Sequence, residues 1–299
     1  MAGDDLRALL LAIQREYNPV AMAKLLTTVE RFGPRAFACE EILEPKHLSF
    51  RIGITGPPGA GKSTLIGQIL DQLNRGGKRV GVIAIDPTSP ISQGAILGDR
   101  IRFSDQSLNS NVFIRSLGSR GSLGGLAAHA YLLARAFDAC EFDLTIIETV
   151  GVGQVEVDIM NVADAVVLVL VPESGDSVQA MKAGITEVAD LVVVNKSDRP
   201  GAEAFRREIE AQLNKSVLAI SATENVGIDS LMEWLNHAKA NDRWREKRFA
   251  PNRLRAEAIA LKRDEIEKQI LKAIDQIETL SALKALFSPK CGDINNAKH

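Results

Sequence analysis

Aromatic side chains are scarce in this chain of 299 residues, at 5%, which leaves no interleaved stacking platform of the kind that holds single-stranded nucleic acid. Net charge is only −2, so no strongly basic or acidic field points to general nucleic-acid binding, and a protein or small molecule is the expected partner. The three cysteines, Cys39, Cys140 and Cys291, are odd in number and form no C-x-x-C pair, which argues for reduced thiols. Four histidines are equally scattered, so no structural metal site is expected. No hydrophobic run approaches the ~20 residues of a membrane span. The start of the chain carries Asp4 and Asp5 in place of a basic-then-apolar signal, and a cytoplasmic location with no membrane contact is expected. Internal repeats and low-complexity blocks are also missing.

What is present is organised around Gly56-Pro-Pro-Gly-Ala-Gly-Lys-Ser63, a full G-x-x-x-x-G-K-[ST] match. The β-prone segment Phe50–Thr55 precedes it, and Leu65, Ile66, Ile69, Leu70 and Leu73 follow at helical spacing. Strand, glycine-rich loop and helix therefore come in the order of a phosphate-binding loop. Its glycines allow backbone N–H groups to curl round a phosphate at a helix N-terminus. Lys62 supplies a mobile charge to the β/γ oxygens, and the Ser63 hydroxyl can ligate Mg²⁺. The nucleotide-contacting set here is Gly56, Pro58, Gly59, Ala60, Gly61, Lys62, Ser63 and Thr64. The competing reading is a glycine-rich turn before an amphipathic helix.

From residue 50 to about 236, β-branched runs alternate with helical patterns. Strands are expected at Arg79–Ile85, Val112–Ile114, Leu144–Glu148, Ala165–Val171, Leu191–Asn195 and Val217–Ile220, and helices at 123–138, 177–188, 202–214 and 228–240. Near-continuous hydrophobicity implies strands buried on both faces. The fold class is α/β, a mainly parallel doubly wound sheet with ligand chemistry at the strand C-termini. An N-terminal helical arm (1–48) precedes the nucleotide domain (49–240), and a helical extension with a polar tail (241–299) follows it. In the arm Leu6, Leu9, Leu10 and Ile13 share a face, as do Leu25, Leu26 and Val29, which suits packing on the core. After Pro251, Ile266, Ile270, Ile274 and Ile277 form a stripe that must be covered, by the chain's own core or across a homodimer.

Asn195-Lys-Ser-Asp198 ends one expected strand and matches the guanine-reading N-K-x-D pattern. The Asp198 carboxylate can accept from the guanine N1–H and 2-amino group, Asn195 addresses the other edge, and Lys196 lies along the base. Ser221-Ala222, at the end of the next strand, falls where a backbone amide meets guanine O6. Glu148-Thr-Val-Gly151 closes the strand Leu144–Glu148, where the carboxylate can orient a Mg²⁺-bound water and Gly151 can offer its N–H to a γ-phosphate. Val152 stands where a water-orienting glutamine occurs in Ras-type enzymes, and Gln154 is the substitute at hand. Asp86 and Asp99 add two acids in a Gly/Pro/Ser-rich connection, suited to binding Mg²⁺ through water. Arg115–Leu126 reads as a mobile Gly/Ser-rich loop, either a switch or a lead-in to a helix cap.

Taken together, G-P-P-G-A-G-K-S-T-L, A-I-D-P-T-S, I-L-G-D-R, G-S-L-G-G-L, E-T-V-G-V-G-Q and V-V-V-N-K-S-D resemble the methylmalonyl-CoA-mutase-associated GTPases, the MeaB/ArgK type of the G3E group. The resemblance covers most of residues 50–225. It implies a GTPase chaperone that gates adenosylcobalamin loading and protects or rescues an adenosylcobalamin-dependent acyl-CoA mutase, acting as a homodimer built through the C-terminal extension. It also implies roles for Lys62, Asp99, Glu148 and Gln154 in hydrolysis. Ser63, Asp86, Asp99 and Glu148 then form the Mg²⁺ side, and Asn195 with Asp198 reads guanine. Residues 172–182 look like the family's additional switch, with P-E-S-G-D where P-G-A-G-D is frequent, and Lys182 would relay nucleotide state. Two other activities fit a phosphate loop. Metal insertion into a nickel enzyme calls for clustered His and Cys ligands, and a small-molecule kinase calls for an acceptor site; neither has a motif here.

Overall fold

The computed structural model describes residues 2–86, 111–118, 128–149, 155–174, 186, 189–213 and 215–274. Seven strands form one sheet: β1 (Phe50–Thr55), β2 (Val80–Asp86), β3 (Val112–Gly118), β4 (Leu144–Thr149), β5 (Ala165–Leu170), β6 (Leu191–Val194) and β7 (Val217–Ala219). Their order is β3-β2-β4-β1-β5-β6-β7, and every pairing is parallel. From the central β1 the chain passes to β2 and the edge strand β3, returns to β4 between β1 and β2, and then builds outward on the other side through β5, β6 and β7. The loop after β1 therefore lies at the switch point, where a doubly wound sheet opens a crevice.

Helices cover both faces, because β1, β4, β5 and β6 are buried along their whole length. Alternation decides which residue meets which layer. Ile52, Ile54, Val82, Ile146, Val167 and Val193 face α4 (Lys62–Arg75) and α8 (Ile228–Ala240), joined there by Trp244 of the short α9 (Arg243–Arg248). Ile83, Ile85, Ile147 and Val166 point the other way, to α5 (Ala128–Ala139) and α6 (Val155–Val162). At the far end of that face Leu168, Leu170, Val192 and Val194 meet Phe205 and Ile209 of α7 (Ala202–Leu213). Gly81 lets α5 close on the sheet, since a Cβ there would lie 2.8 Å from the ring of Phe137.

The N-terminal helices α1 (Ala2–Arg15), α2 (Pro19–Phe32) and α3 (Glu40–Leu43) join the same layer as α5. Leu6, Leu10, Ile13, Leu25, Leu26 and Val29 are fully buried, so the expected faces pack on the core. Fully burying an aliphatic side chain is worth about 1.5–3 kcal/mol. The start of α2 is fixed locally, with Asn18 Oδ1 accepting from the amides of Val20 and Ala21 at 2.8 and 3.1 Å and Pro19 in the first turn.

One expectation changes. Arg115–Gly118, read as loop, continues β3 in register with Ile83–Asp86 of β2, and Arg115 forms an ion pair with Glu30 of α2. Ladder hydrogen bonds and that pair outweigh the Gly/Ser composition. The remainder of that loop, residues 119–126, lies outside the described residues, as do 177–185, nearly all of the expected helix 177–188. Of the two covers expected for the isoleucine stripe, the chain's own core is not the one: α10 (Pro251–Ile274) docks through Arg253, Glu257, Leu261, Asp264 and Lys268, while Ile266, Ile270 and Ile274 are 47%, 52% and 46% exposed, and Ile277 lies outside the described residues. At 100° per residue the two stripes lie on nearly opposite faces of the helix. The helix's own polar contacts, rather than its isoleucines, hold it on α5 and α6. No helix among the described residues is long and apolar enough to cross a membrane.

Candidate functional site

The loop between β1 and α4 turns on three glycines in left-handed or otherwise positive-φ backbone, Gly56 at 142°, Gly59 at 76° and Gly61 at 84°. Two are also required by space. A Cβ on Gly56 would lie 2.0 Å from the carbonyl oxygen of Val169, and one on Gly61 would lie 2.4 Å from Asn195 Nδ2. Lys62 opens α4 and is 7% exposed, with Nζ donating to the Gly56 and Pro57 carbonyls at 2.8 and 3.0 Å. Its ammonium is thereby held against the loop, on contacts that a phosphate oxygen can replace.

The neighbouring strand supplies the acid. Glu148 lies near the end of β4, opposite Ile54 of β1 and Ala84 of β2, and is 5% exposed. Ser63 Oγ donates to Glu148 Oε1 at 2.7 Å, so a hydroxyl and a carboxylate converge at the strand ends. Oxygen donors so placed fit a hard divalent cation such as Mg²⁺, which takes few protein ligands. Beneath them Thr149 Oγ1 donates to Thr55 Oγ1 at 2.8 Å and ties the ends of β1 and β4 together. Sequence reading passed over this pair, because residues 94 apart carry no common motif. Asp86 closes β2, the next strand, but its side chain lies outside the described residues, as do Asp99, Gly151, Val152, Gln154 and Lys182.

Across the loop, Asn195 follows β6 and is 2% exposed. Its Nδ2 donates to the Ala60 carbonyl at 2.8 Å, and its Oδ1 accepts from the Ala222 amide at 3.1 Å. Through these bonds Asn195 straps the phosphate loop to the segment after β7. Next to it Lys196 takes a left-handed φ of 58°, and the Ser197 amide donates to the Ile220 carbonyl at 3.0 Å. The turn carries Asp198 to the surface. There Ser221 Oγ donates to Asp198 Oδ1 at 2.6 Å, and that hydrogen bond holds the Asp198 carboxyl below its ordinary pKa. Asp198 is thus an oriented, ionised acceptor at neutral pH, suited to paired N–H donors on a base edge. The hydroxyl of Ser221, expected to matter through its backbone, acts on Asp198. Arg199 adds an ion pair to Glu173, which follows β5, and so joins the base loop to the start of the 172–182 segment.

A phosphate loop at the switch point, a serine in the first turn of its helix beside an acid at the end of the adjacent strand, and an oriented aspartate beyond the next crossover are the parts of a P-loop GTPase. The family model "Methylmalonyl Co-A mutase-associated GTPase MeaB" matches residues 22–278, and the chain belongs to that family. A Pyrococcus abyssi protein named as a candidate GTPase is 44% identical over 245 residues, 76% of each chain. The GTPase ArgK of Escherichia coli is 36% identical over 235 residues, 73% of this chain and 71% of its own. Among solved structures, one titled LAO/AO transport system kinase superposes with a TM-score of 0.65 at 25% identity, covering 94% of this chain and 96% of the other.

Proposed function

We propose that this GTPase is a chaperone of an adenosylcobalamin-dependent acyl-CoA mutase, hydrolysing GTP to gate cofactor loading and to protect or reactivate its partner. The observation that carries this reading is the family match over residues 22–278, which includes the nucleotide site and reaches beyond the described part of α10. The protein works in the cytoplasm as a homodimer, and the exposed isoleucine face of α10 is the surface that dimerisation would cover.

In this reading the backbone amides at the start of α4 and the Lys62 ammonium bind the β- and γ-phosphates. Ser63 and Glu148, with Asp86 and Asp99, would hold Mg²⁺, which would supply positive charge against the phosphates. Asp198, kept ionised by Ser221, accepts from the guanine edge, and Asn195 keeps the base loop and phosphate loop at a fixed separation. Val152 has no polar group with which to orient water, so the isolated chain hydrolyses GTP slowly and a docked partner has catalytic capacity to add. Docking brings the loops 86–100, 115–125 and 172–182, with Lys182, to the γ-phosphate, and Gln154 is the candidate to orient water.

Single-turnover hydrolysis with and without candidate mutases, together with nucleotide-dependent transfer of adenosylcobalamin, tests the reading. A cognate mutase should raise the hydrolysis rate and GTP should alter cofactor transfer, as linkage between the two binding events requires. A tightly bound mutase that changed neither would overturn the gating role and leave the nucleotide site standing.

A further inference from the structure

The turn that carries Asp198 is tethered from outside the N-K-S-D motif. Leu170 of β5 pairs with Val194 of β6, and the Asn195 amide donates to the Leu170 carbonyl at 2.8 Å, so the segments that follow these strands leave the sheet side by side. Glu173 lies on the first segment and Arg199 on the second. The Arg199 amide donates to the Lys196 carbonyl at 3.0 Å and closes the turn, while its guanidinium forms an ion pair with Glu173. Both side chains of the pair are about half exposed. The Glu173 carboxyl is held below its ordinary pKa by its own backbone amide and by the hydrogen bond from Arg199, and the charge of Lys196 adds to the effect. It is therefore ionised at neutral pH.

Arg199 adjoins Asp198 in the chain, and its charge reaches the Asp198 carboxyl, where it adds to the lowering that begins with the Ser221 hydrogen bond. Asp198 is exposed and has one oxygen on Ser221. A guanidinium is a planar array of donors that suits a carboxylate, so Arg199 and a guanine edge are rivals for the same acceptor. Glu203, another described carboxylate close by in the chain, is already engaged by Arg206 and Arg207 at 2.8 and 2.9 Å. Among the described residues it is Glu173 that holds the Arg199 guanidinium away from Asp198.

On the reading of Asp198 as the guanine acceptor, on which this rests, we infer that Glu173 is a positioning residue of the base site: it engages Arg199 and so leaves the exposed Asp198 oxygen to the base. Glu173 acts through Arg199 alone. A guanidinium on Asp198 would present donors where guanine N1–H and the 2-amino group present donors, and the base would first have to displace it. Exposed ion pairs are weak, so the advantage is a few-fold in affinity. Asp198 meets the base and not the phosphates, so GDP and GTP should feel it equally.

The test is calorimetry of GDP and GTP binding on the full chain, with three variants: Glu173→Gln, Glu173→Gln combined with Arg199→Gln, and Asp198→Asn. Glu173→Gln keeps the size and removes the charge, and it should weaken both nucleotides by about 3–5-fold. Adding Arg199→Gln removes the rival donor, and it should return both affinities to within about 2-fold of the parent. A pair that only buttressed the turn would behave in the opposite way. The double variant would then bind as weakly as Glu173→Gln or more weakly, and that result would overturn the inference. Parental affinity in Glu173→Gln beside a loss in Asp198→Asn would also overturn it, and would leave the base reading standing. Full affinity in Asp198→Asn would remove the base reading and the role of Glu173 together.

Discussion

Carboxylates occupy both ends of the sheet, but in opposite circumstances. At the C-terminal ends Asp198 lies at the surface, with one oxygen committed to Ser221, and Glu148 accepts from the hydroxyl of Ser63. At the N-terminal ends Asp138 and Asp164 are 0% and 4% exposed, and each is shared among arginines and backbone amides. On Asp198 the first arrangement leaves an exposed carboxylate oxygen for a ligand. The second spends it on holding together segments from distant parts of the chain. A buried pair need not stabilise a protein relative to an apolar substitute, yet breaking one is costly, because the surviving charge stays buried.

The comparison predicts effects of different kind and size. The largest should follow Asp164→Ala, which strands Arg248 and removes the acceptor of the Arg51 amide. A loss of about 3–5 kcal/mol in urea unfolding is expected, with GTP affinity of the folded protein unchanged. A destabilisation below about 1 kcal/mol would show that the cluster is not the fastening described here.

At the other end the expectation reverses. Asp198→Asn should leave stability nearly intact and cost about 1.5–3 kcal/mol of GTP binding, because a donor then faces the guanine donors. Calorimetry with GTP and ATP on parent and variant measures both the loss and the discrimination. If the parent bound the two nucleotides equally, Asp198 would not be a base reader. Glu148→Ala should weaken Mg²⁺-dependent hydrolysis about 10–100-fold and GDP binding much less. Unchanged turnover at limiting Mg²⁺ would remove Glu148 from the metal side.

The smallest effect sharpens the comparison at an intermediate site. Burial alone would push the Asp264 pKa up, but His129, 3.7 Å away, and the hydrogen bond from Lys268 outweigh it and bring it down from 3.8 to about 2. A depressed folded-state pKa contributes stability above the unfolded value, and that contribution is lost as pH falls from about 3.8 toward 2. Asp264→Asn should therefore narrow its stability gap with the parent across that window. A gap constant from pH 5 to 2 would mean that the contact with α5 carries no charge dependence.

The sequence by itself determined the parts whose chemistry is local. A phosphate loop is eight consecutive residues between a strand and a helix, and its glycines are demanded by backbone geometry within that span. The N-K-S-D turn and the Glu148 strand end were legible for the same reason, and the alternation of buried runs with helical patterns gave the sheet its class. Tertiary structure decided whatever joins distant positions. It turned Asn195 into a strap between the Ala60 carbonyl and the Ala222 amide, 135 residues from the first and 27 from the second. It set the hydroxyl of Ser221 on Asp198, and it brought Arg248 to the Ser49 carbonyl across 199 residues of chain. It also decided that the core covers a charged stripe of α10 and leaves Ile266, Ile270 and Ile274 exposed. Periodicity specifies which residues share a face of a helix; only the positions of Asp164, Arg135 and His129 on other elements determine which face is held.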